Sequence, residues 1–267
     1  MIANVLGSLR VTMNGESVVP AAPKARKVLA LLVLNPGRVV QTDAMEREVW
    51  GARSPRSATT SLQNYVMQIR KHLGRTLPGD TGSARAKQIL VTEQTGYRLA
   101  AQDDQFDVRR YHALVAEADA AEAAGDLAEA SALIRCALDL WRDEPLADLP
   151  TGPVLQSHVM RLEENRKAVL RKRISLDLQL HRYEVVGELR ALAALHPYDE
   201  MFHECLMIAL DRTGRRNDAL SVYQSLRSAL AEGIGLEPSA RLRELQKAIL
   251  VSDDSLTPAV PQGGIRV

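Results

Sequence analysis

The sequence has 267 residues, of which 46% are hydrophobic and only 4% aromatic, enough for one large domain or two modest ones with separate cores. No apolar run approaches the roughly 18–20 residues of a transmembrane helix, and the start lacks the basic and long apolar regions of a secretory signal. The two cysteines, 69 positions apart, exclude a disulfide scaffold and a cysteine-built zinc site, and they suit reduced thiols in a cytoplasmic protein.

The net charge of +1 conceals an uneven distribution. Residues 1–100 carry 14 Lys/Arg and 6 Asp/Glu, a net charge of +8, whereas residues 101–267 carry 20 and 27, a net charge of −7. A basic front half indicates a polyanionic partner for that half alone. An ordinary solvated surface could give the same counts, so the motifs must decide.

Residues 1–51 predict a small sheet followed by two helices. The strand-like segment 5–13 ends at Asn14-Gly15, a pair that favours a tight hairpin because both residues tolerate positive φ. Apolar spacing predicts a first helix over 24–34. A second helix is expected from a Thr42 cap to Trp50, with Gly51 just past its end.

The segment 57–73 is the most informative helix in the sequence. Its apolar residues fall on one arc and are Ala58, Leu62, Val66, Ile69 and Leu73. The opposite arc collects Thr60, Gln63, Asn64, Met67, Gln68 and Lys71, with Arg70 on its flank. Amides and hydroxyls are the side chains that read base edges in a major groove, while Lys and Arg hold phosphates. A solvated helix face is also polar, so this arc alone does not decide the function.

The next segments predict a loop and a two-stranded wing. Residues 75–87 are rich in Gly, Ser and Pro and predict a mobile loop, in which Arg85 and Lys87 are weak candidates for phosphate contact. Residues 88–99 predict two strands around a turn at 93–96. A sheet, three helices and a wing therefore follow one another within about 100 residues.

This order resembles the winged helix-turn-helix of OmpR-type response regulators, with Trp50-Gly51 and GYRL at 96–99 as shared phrases. It is more similar still to the Streptomyces antibiotic regulatory protein (SARP) family, through APKARKVLALLVL at 22–34, RVV at 38–40 and SLQNYVMQIRKHLG at 61–74. The resemblance implies that the third helix enters the major groove and that the hairpin contacts the minor groove or phosphates. The residues so implied to contact DNA are Thr60, Gln63, Asn64, Met67, Gln68, Arg70, Lys71, Trp50, Arg53, Thr95 and Arg98.

Two points in this assignment stay open. Trp50 is either a core anchor at the end of its helix or a phosphate neighbour. Glu93 stands in the wing where relatives often have a basic residue, which weakens the electrostatic case for the wing.

The back half predicts helices almost without interruption after a short linker at 101–106. They are expected at 107–124, 127–141, 153–180, 183–195, 199–212, 216–231 and 238–250. The turn phrase at Gly125 recurs at Gly214 and, more loosely, at His181; the interval of 33 residues between the last two approaches the ~34-residue period of tetratricopeptide (TPR) helix pairs. The basic run at 166–173 is interpreted as a solvated helix face, and residues 251–267 as a disordered tail.

The back half also resembles the bacterial transcriptional activation domain of SARP proteins, through ALDLWRDEPLADL at 137–149 and GIGLEPSARLRELQKAIL at 233–250. The expected fold class is mostly α with a small β component: a winged helix-turn-helix domain at 1–100 and an all-α TPR-like domain at 107–250. The resemblance implies a cytoplasmic transcriptional activator of biosynthetic (antibiotic) gene clusters. It would bind direct repeats near the −35 element as a head-to-tail homodimer and recruit RNA polymerase holoenzyme through sigma and other subunits.

No catalytic motif was identified. The sequence has no phosphate-binding glycine loop, and His203-Glu204 begins like a zinc-binding HExxH helix, but Met207 occupies the second histidine position. We therefore expect no enzyme activity, no catalytic residue, no metal, no cofactor and no membrane partner. Two alternatives remain: a TPR-like interaction module with little or no DNA affinity, and a regulator gated by a metabolite in a cavity of the repeats.

Overall fold

The computed structural model describes residues 1–77, 82–100 and 105–251. Residues 78–81 of the expected loop, 101–104 of the expected linker and 252–267 of the expected tail lie outside that range. The elements are β1 (Ile2–Asn4), β2 (Arg10–Met13), β3 (Glu16–Ser17), α1 (Pro23–Leu34), β4 (Val39–Gln41), α2 (Thr42–Trp50), α3 (Ala58–Arg75), α4 (Gly82–Ile89), β5 (Leu90–Glu93), β6 (Gly96–Leu99), α5 (Asp107–Ala123), α6 (Leu127–Leu138), α7 (Pro153–Gln179), α8 (Val186–Leu195), α9 (Glu200–Arg212), α10 (Arg216–Ile234) and α11 (Ala240–Val251).

The chain divides into two compact units that do not coincide with a simple front and back half. The first contains Met1–Ala116 and Cys136–Arg166, and the second contains Glu117–Arg135 and Lys167–Val267. The first unit therefore takes chain from both sides of the expected linker.

The first sheet has the antiparallel order β1-β2-β3. Its β2–β3 turn is the predicted one, with φ of 53° at Asn14 and 83° at Gly15. The expectation of one strand over 5–13 was wrong at its start, because the backbone bends after β1. The amides of Val5 and Leu6 donate to the buried carboxylate of Asp107 instead of to a strand partner.

The second sheet has the order β4-β6-β5 and contains one strand that the sequence did not predict. That strand, β4, is only three residues long and pairs antiparallel with β6, Val40 lying opposite Tyr97. It joins the β5–β6 hairpin to the start of α2.

The core of the first unit is completed by residues beyond the winged helix. Phe106, Leu146, Leu149 and Leu155 are buried in the same hydrophobic cluster as the inner faces of α1, α2 and α3. Asp107 also forms an ion pair with Arg142 at 2.9 Å, 35 positions further along the chain. Residues 1–100 thus do not close this core alone.

The second unit repeats one helix ending three times. Gly125, His181 and Gly214 have φ of 84°, 55° and 76°, and each amide bonds to the carbonyl three residues earlier. The following amide bonds in each case to the carbonyl five residues before it, which completes a Schellman cap. The recurring turn phrase is therefore a recurring structure, as the repeat interpretation predicts.

Helix α9 is the centre of the second unit. Every residue from Phe202 to Leu210 is buried, and the helix packs against α8, α10 and α11. The interpretation of 166–173 as a solvated face was wrong for Lys172 and Arg173, which are 5% and 6% exposed. Lys172 pairs with Asp119 and Glu122, because a buried cation needs a carboxylate partner.

Candidate nucleic-acid interface

Helix α3 has the two faces that its sequence predicts. Ala58, Leu62, Val66, Ile69 and Leu73 are at most 3% exposed and face the core of the first unit. Burying a Leu, Ile or Val side chain contributes about 1.5–3 kcal/mol, so the four larger residues of this face fix the rotation of the helix. The other face is thereby held outward.

The outward face of α3 is polar and solvent-exposed. Its exposed side chains are Thr60, Gln63, Asn64, Met67, Gln68 and Lys71. Met67 is 62% exposed and lies among amides and a cation. A single helix thus presents hydrogen-bond donors and acceptors, one apolar group and one positive charge along one line, a combination that suits base edges and a phosphate.

Trp50, at the end of α2, is half-buried and joins three elements. Its ring lies 6.3 Å from the ring of Tyr65 on α3, and Lys24 Nζ of α1 lies 5.3 Å from its centroid. Trp50 therefore serves as an anchor of the core and also holds a cation beside it. Arg53, in the turn after α2, is exposed.

Arg70 links α3 to the wing. Its Nε and Nη2 donate to the carbonyl oxygen of Leu90 at 3.0 and 2.7 Å, and Nη2 also donates to Thr92 Oγ1 at 2.7 Å. Burial lowers the pKa of the Arg70 guanidinium from its ordinary value. This side chain fixes the position of β5 relative to the outward face of α3.

The wing is the β5–β6 hairpin, which contains two of the residues predicted to contact DNA, Thr95 and Arg98. Thr95 is exposed at the turn, and its carbonyl accepts from the Thr42 amide at 3.0 Å, so Thr42 holds the turn instead of capping α2. Arg98 is paired with Glu93 at 2.7 Å. Gly96 faces Val40 so closely that an added Cβ would overlap the Val40 carbonyl oxygen.

Helix α4 was missed by the sequence reading, which expected a loop over 75–87 and a strand from 88. Residues 83–88 are mostly helix formers, a signal outweighed by the neighbouring glycines and proline. Beside α3 it forms a cleft of about 740 Å³, lined by Gln63, Met67, Arg70, Lys71, Arg75 and Lys87 among others. The basic surface thus continues from α3 toward α4.

The described residues contain neither a membrane-spanning helix nor a metal-binding cluster. None of their helices has the length and apolarity needed to cross a bilayer. In the same part of the chain, no group of three His, Cys, Asp or Glu side chains could hold a metal ion.

Comparison with known proteins identifies the family. A family model described as "Transcriptional regulatory protein, C terminal" matches residues 15–99, and one described as "Bacterial transcriptional activator domain" matches residues 106–250. The regulatory protein DnrI of Streptomyces peucetius is 42% identical over 265 residues, which are 98% of this chain and 97% of that protein. The chain belongs to the SARP family. It is a transcriptional regulator with an OmpR-type winged helix.

Two larger relatives of this SARP protein extend beyond it. The regulatory protein AfsR of Streptomyces coelicolor is 38% identical over 94% of this chain, which spans 24% of AfsR. The solved structure of Mycobacterium tuberculosis EmbR, in complex with a low-affinity phosphopeptide, matches with a TM-score of 0.85 and 31% identity. That match covers 96% of this chain and 65% of EmbR.

Proposed function

We propose that this SARP protein is a transcriptional activator that binds direct repeats near the −35 element of promoters of biosynthetic gene clusters. Two protomers bind head to tail, and the helical half recruits RNA polymerase holoenzyme through sigma and other subunits. The repeats, the pairing and the polymerase contact rest on the family resemblance. DNA binding rests, in addition, on the outward face of α3.

The observation that carries DNA binding is the combination of a buried apolar face and an exposed amide and cation face on one helix. Asn64 and Gln68 are one turn apart and both exposed, so both can meet successive base pairs. Each bidentate contact of this type contributes about 1–3 kcal/mol of discrimination between bases. Lys71, one turn from Gln68 along α3, supplies charge to the phosphates.

Some of the remaining candidate residues are exposed and free to meet a phosphate in space, whereas others already have partners within the protein. Arg53 and Thr95 are exposed on either side of α3 in the chain and suit phosphate contacts. Arg98 shares its charge with Glu93, and Arg70 donates to the wing, so we assign Arg70 mainly a positioning role. Trp50 contributes through the packing of α2 against α3.

Gel-shift titrations of the full chain on repeat-containing and scrambled promoter duplexes test this assignment. Asn64→Ala and Gln68→Ala should reduce the ratio of specific to non-specific affinity about 5- to 150-fold, the equivalent of 1–3 kcal/mol. Lys71→Ala should weaken both duplexes alike and lower the salt slope, expected at about −4 to −5 for four to six phosphates, by roughly one.

Gln156→Ala is the matched control, because Gln156 is an exposed amide on α7 of the same unit. It should leave both affinities unchanged. If the three α3 variants bind both duplexes as the wild type does, α3 is not the reading helix. A wild-type chain that shifts neither duplex would favour the interaction-module alternative.

A further inference from the structure

A second basic surface lies in the first unit, at the opposite end of the wing from its turn. It is a cleft of about 550 Å³, formed by the segment after α1, the start of α5 and the start of α7. The amide of Gly37 donates to the carbonyl of Leu99 at 2.9 Å, which places this segment at the base of the β5–β6 hairpin. The hairpin turn at Thr95, proposed above to meet DNA, lies at its other end.

The polar lining of this cleft is dominated by cationic and titratable groups. Its polar side chains are Asn35, Arg38, Arg109, His112, His158 and Arg161, and no carboxylate is among the described lining residues. Arg38 and Arg161 are exposed. Arg161 Nη2 lies 3.2 Å from His158 Nδ1, and Arg109 Nη2 donates to the Pro36 carbonyl at 2.8 Å, so two of the three guanidinium groups are oriented by neighbours.

The remainder of the lining is apolar. It includes Val33, Leu34, Phe106 and Val108. Guanidinium groups bind phosphate with two parallel hydrogen bonds, and apolar side chains beside them accommodate an organic body. The lining therefore fits an organic phosphate better than inorganic phosphate.

The two histidines of the lining respond to burial and to the charge of Arg161. Burial and the charge of Arg161 lower the pKa of His112 and of His158 below its ordinary value, and Glu48 opposes this effect at His158. The ring of Tyr111 packs against His112 at 5.3 Å. An anion beside Arg161 would reverse the effect of that charge, and both histidines would then bind protons more readily.

The geometry points to a binding site, in this cleft, for a small organic phosphomonoester. Because its walls come from the winged helix and from α5 and α7, the ligand would tie the segment 33–38 to these two helices. Such a ligand stabilises the first unit by mass action.

Isothermal titration calorimetry of the full chain with phenyl phosphate, inorganic phosphate and benzoate tests the site. Phenyl phosphate should bind most tightly, since only it meets both the guanidinium groups and the apolar wall. Its affinity should be higher at pH 6 than at pH 8, because binding raises the pKa of the histidines. Arg161→Gln and Arg38→Gln should each weaken it at least about tenfold, as expected for the loss of a charge-assisted hydrogen bond.

Arg10→Gln is the matched control, since it removes one exposed guanidinium from β2 of the same unit. It should bind phenyl phosphate as the wild type does. Absence of binding at about 10 mM, or an equal loss in Arg10→Gln, would overturn the proposal. Displacement of phenyl phosphate by a non-specific DNA duplex would also overturn it, because the cleft would then belong to the DNA-binding surface. Unfolding midpoints measured beside each titration separate a folding defect from a lost site.

Discussion

Substitution of Glu48 tests whether the winged helix is held to the start of α7 by a single carboxylate. It lies on α2, is 1% exposed, and accepts from the amides of Gly152, Val154 and Leu155 at 2.5, 3.1 and 2.8 Å. Pro153, the first residue of α7, has no amide to donate. One carboxylate from α2 thus caps the start of a helix that lies more than 100 positions further along the chain.

The cost of Glu48→Gln follows from these contacts. The amide retains the volume and one acceptor oxygen, but its NH2 group faces backbone donors and leaves at least one of them unsatisfied. A lost hydrogen bond to a charged group costs about 1.5–3 kcal/mol, and removing a negative charge from a helix N-terminus costs up to about 2 kcal/mol more. We expect Glu48→Gln to lower the free energy of unfolding of the first unit by about 2–4 kcal/mol.

Urea unfolding followed by tryptophan fluorescence is the suitable assay. Both tryptophans of the chain, Trp50 and Trp141, lie in the first unit, so their emission reports that unit while far-ultraviolet circular dichroism reports all helices. Glu16→Gln is the control, because Glu16 is exposed in β3 and its loss should change stability by less than about 0.5 kcal/mol. If Glu48→Gln also stays within that range, the carboxylate does not hold the two segments together.

Three further predictions concern Gly96, the two cysteines and His158. Gly96→Ala should destabilise the first unit by about 1–3 kcal/mol in the same urea assay, because the added Cβ meets the Val40 carbonyl, and an unchanged midpoint would contradict this close approach. Ellman's reagent should label the exposed Cys136 at once but Cys205 only after unfolding, because burial raises the pKa of Cys205 to about 12; two fast thiols in the native protein would be inconsistent with it. Because burial lowers the pKa of His158 in the folded state, the unfolded chain takes up the proton more readily, and the stability of the first unit should decline as the pH falls below about 6.5; His158→Asn should flatten this decline in urea midpoints, and an unchanged slope would refute the assignment.

The parts of the structure that the sequence predicts are those set by local periodicity. The buried arc of α3 agrees residue by residue with the predicted one, because a helix with five apolar residues on one side can bury only that side. The helices predicted in the back half are present for the same reason, although the one predicted at 127–141 ends at Leu138 and the one predicted at 183–195 begins with a 3-10 turn at Tyr183–Val185. The Schellman turns agree because the residues of each turn determine its backbone conformation.

The parts that the sequence could not predict depend on distant partners. The strand β4 exists because β6 lies beside it, and three residues carry no periodic signal of their own. The bend after β1 depends on Asp107, more than 100 residues away. Lys172 and Arg173 belong to a basic run whose burial depends on carboxylates of α5 and α8. No local pattern contains these pairings.

The same distinction bears on how the proposed DNA surface works. The side chains that would read bases lie on α3 and are placed by its own apolar arc, whereas the wing is placed by Arg70 and by β4. On this proposal, base choice and wing position respond to different substitutions. Truncating Asn64 would remove a base contact, whereas disturbing Arg70 would move the wing. Since Glu48 holds α2 to residues 152–155 and Asp107 holds the segment after β1, the geometry of the proposed DNA-binding surface depends on chain outside the winged helix itself.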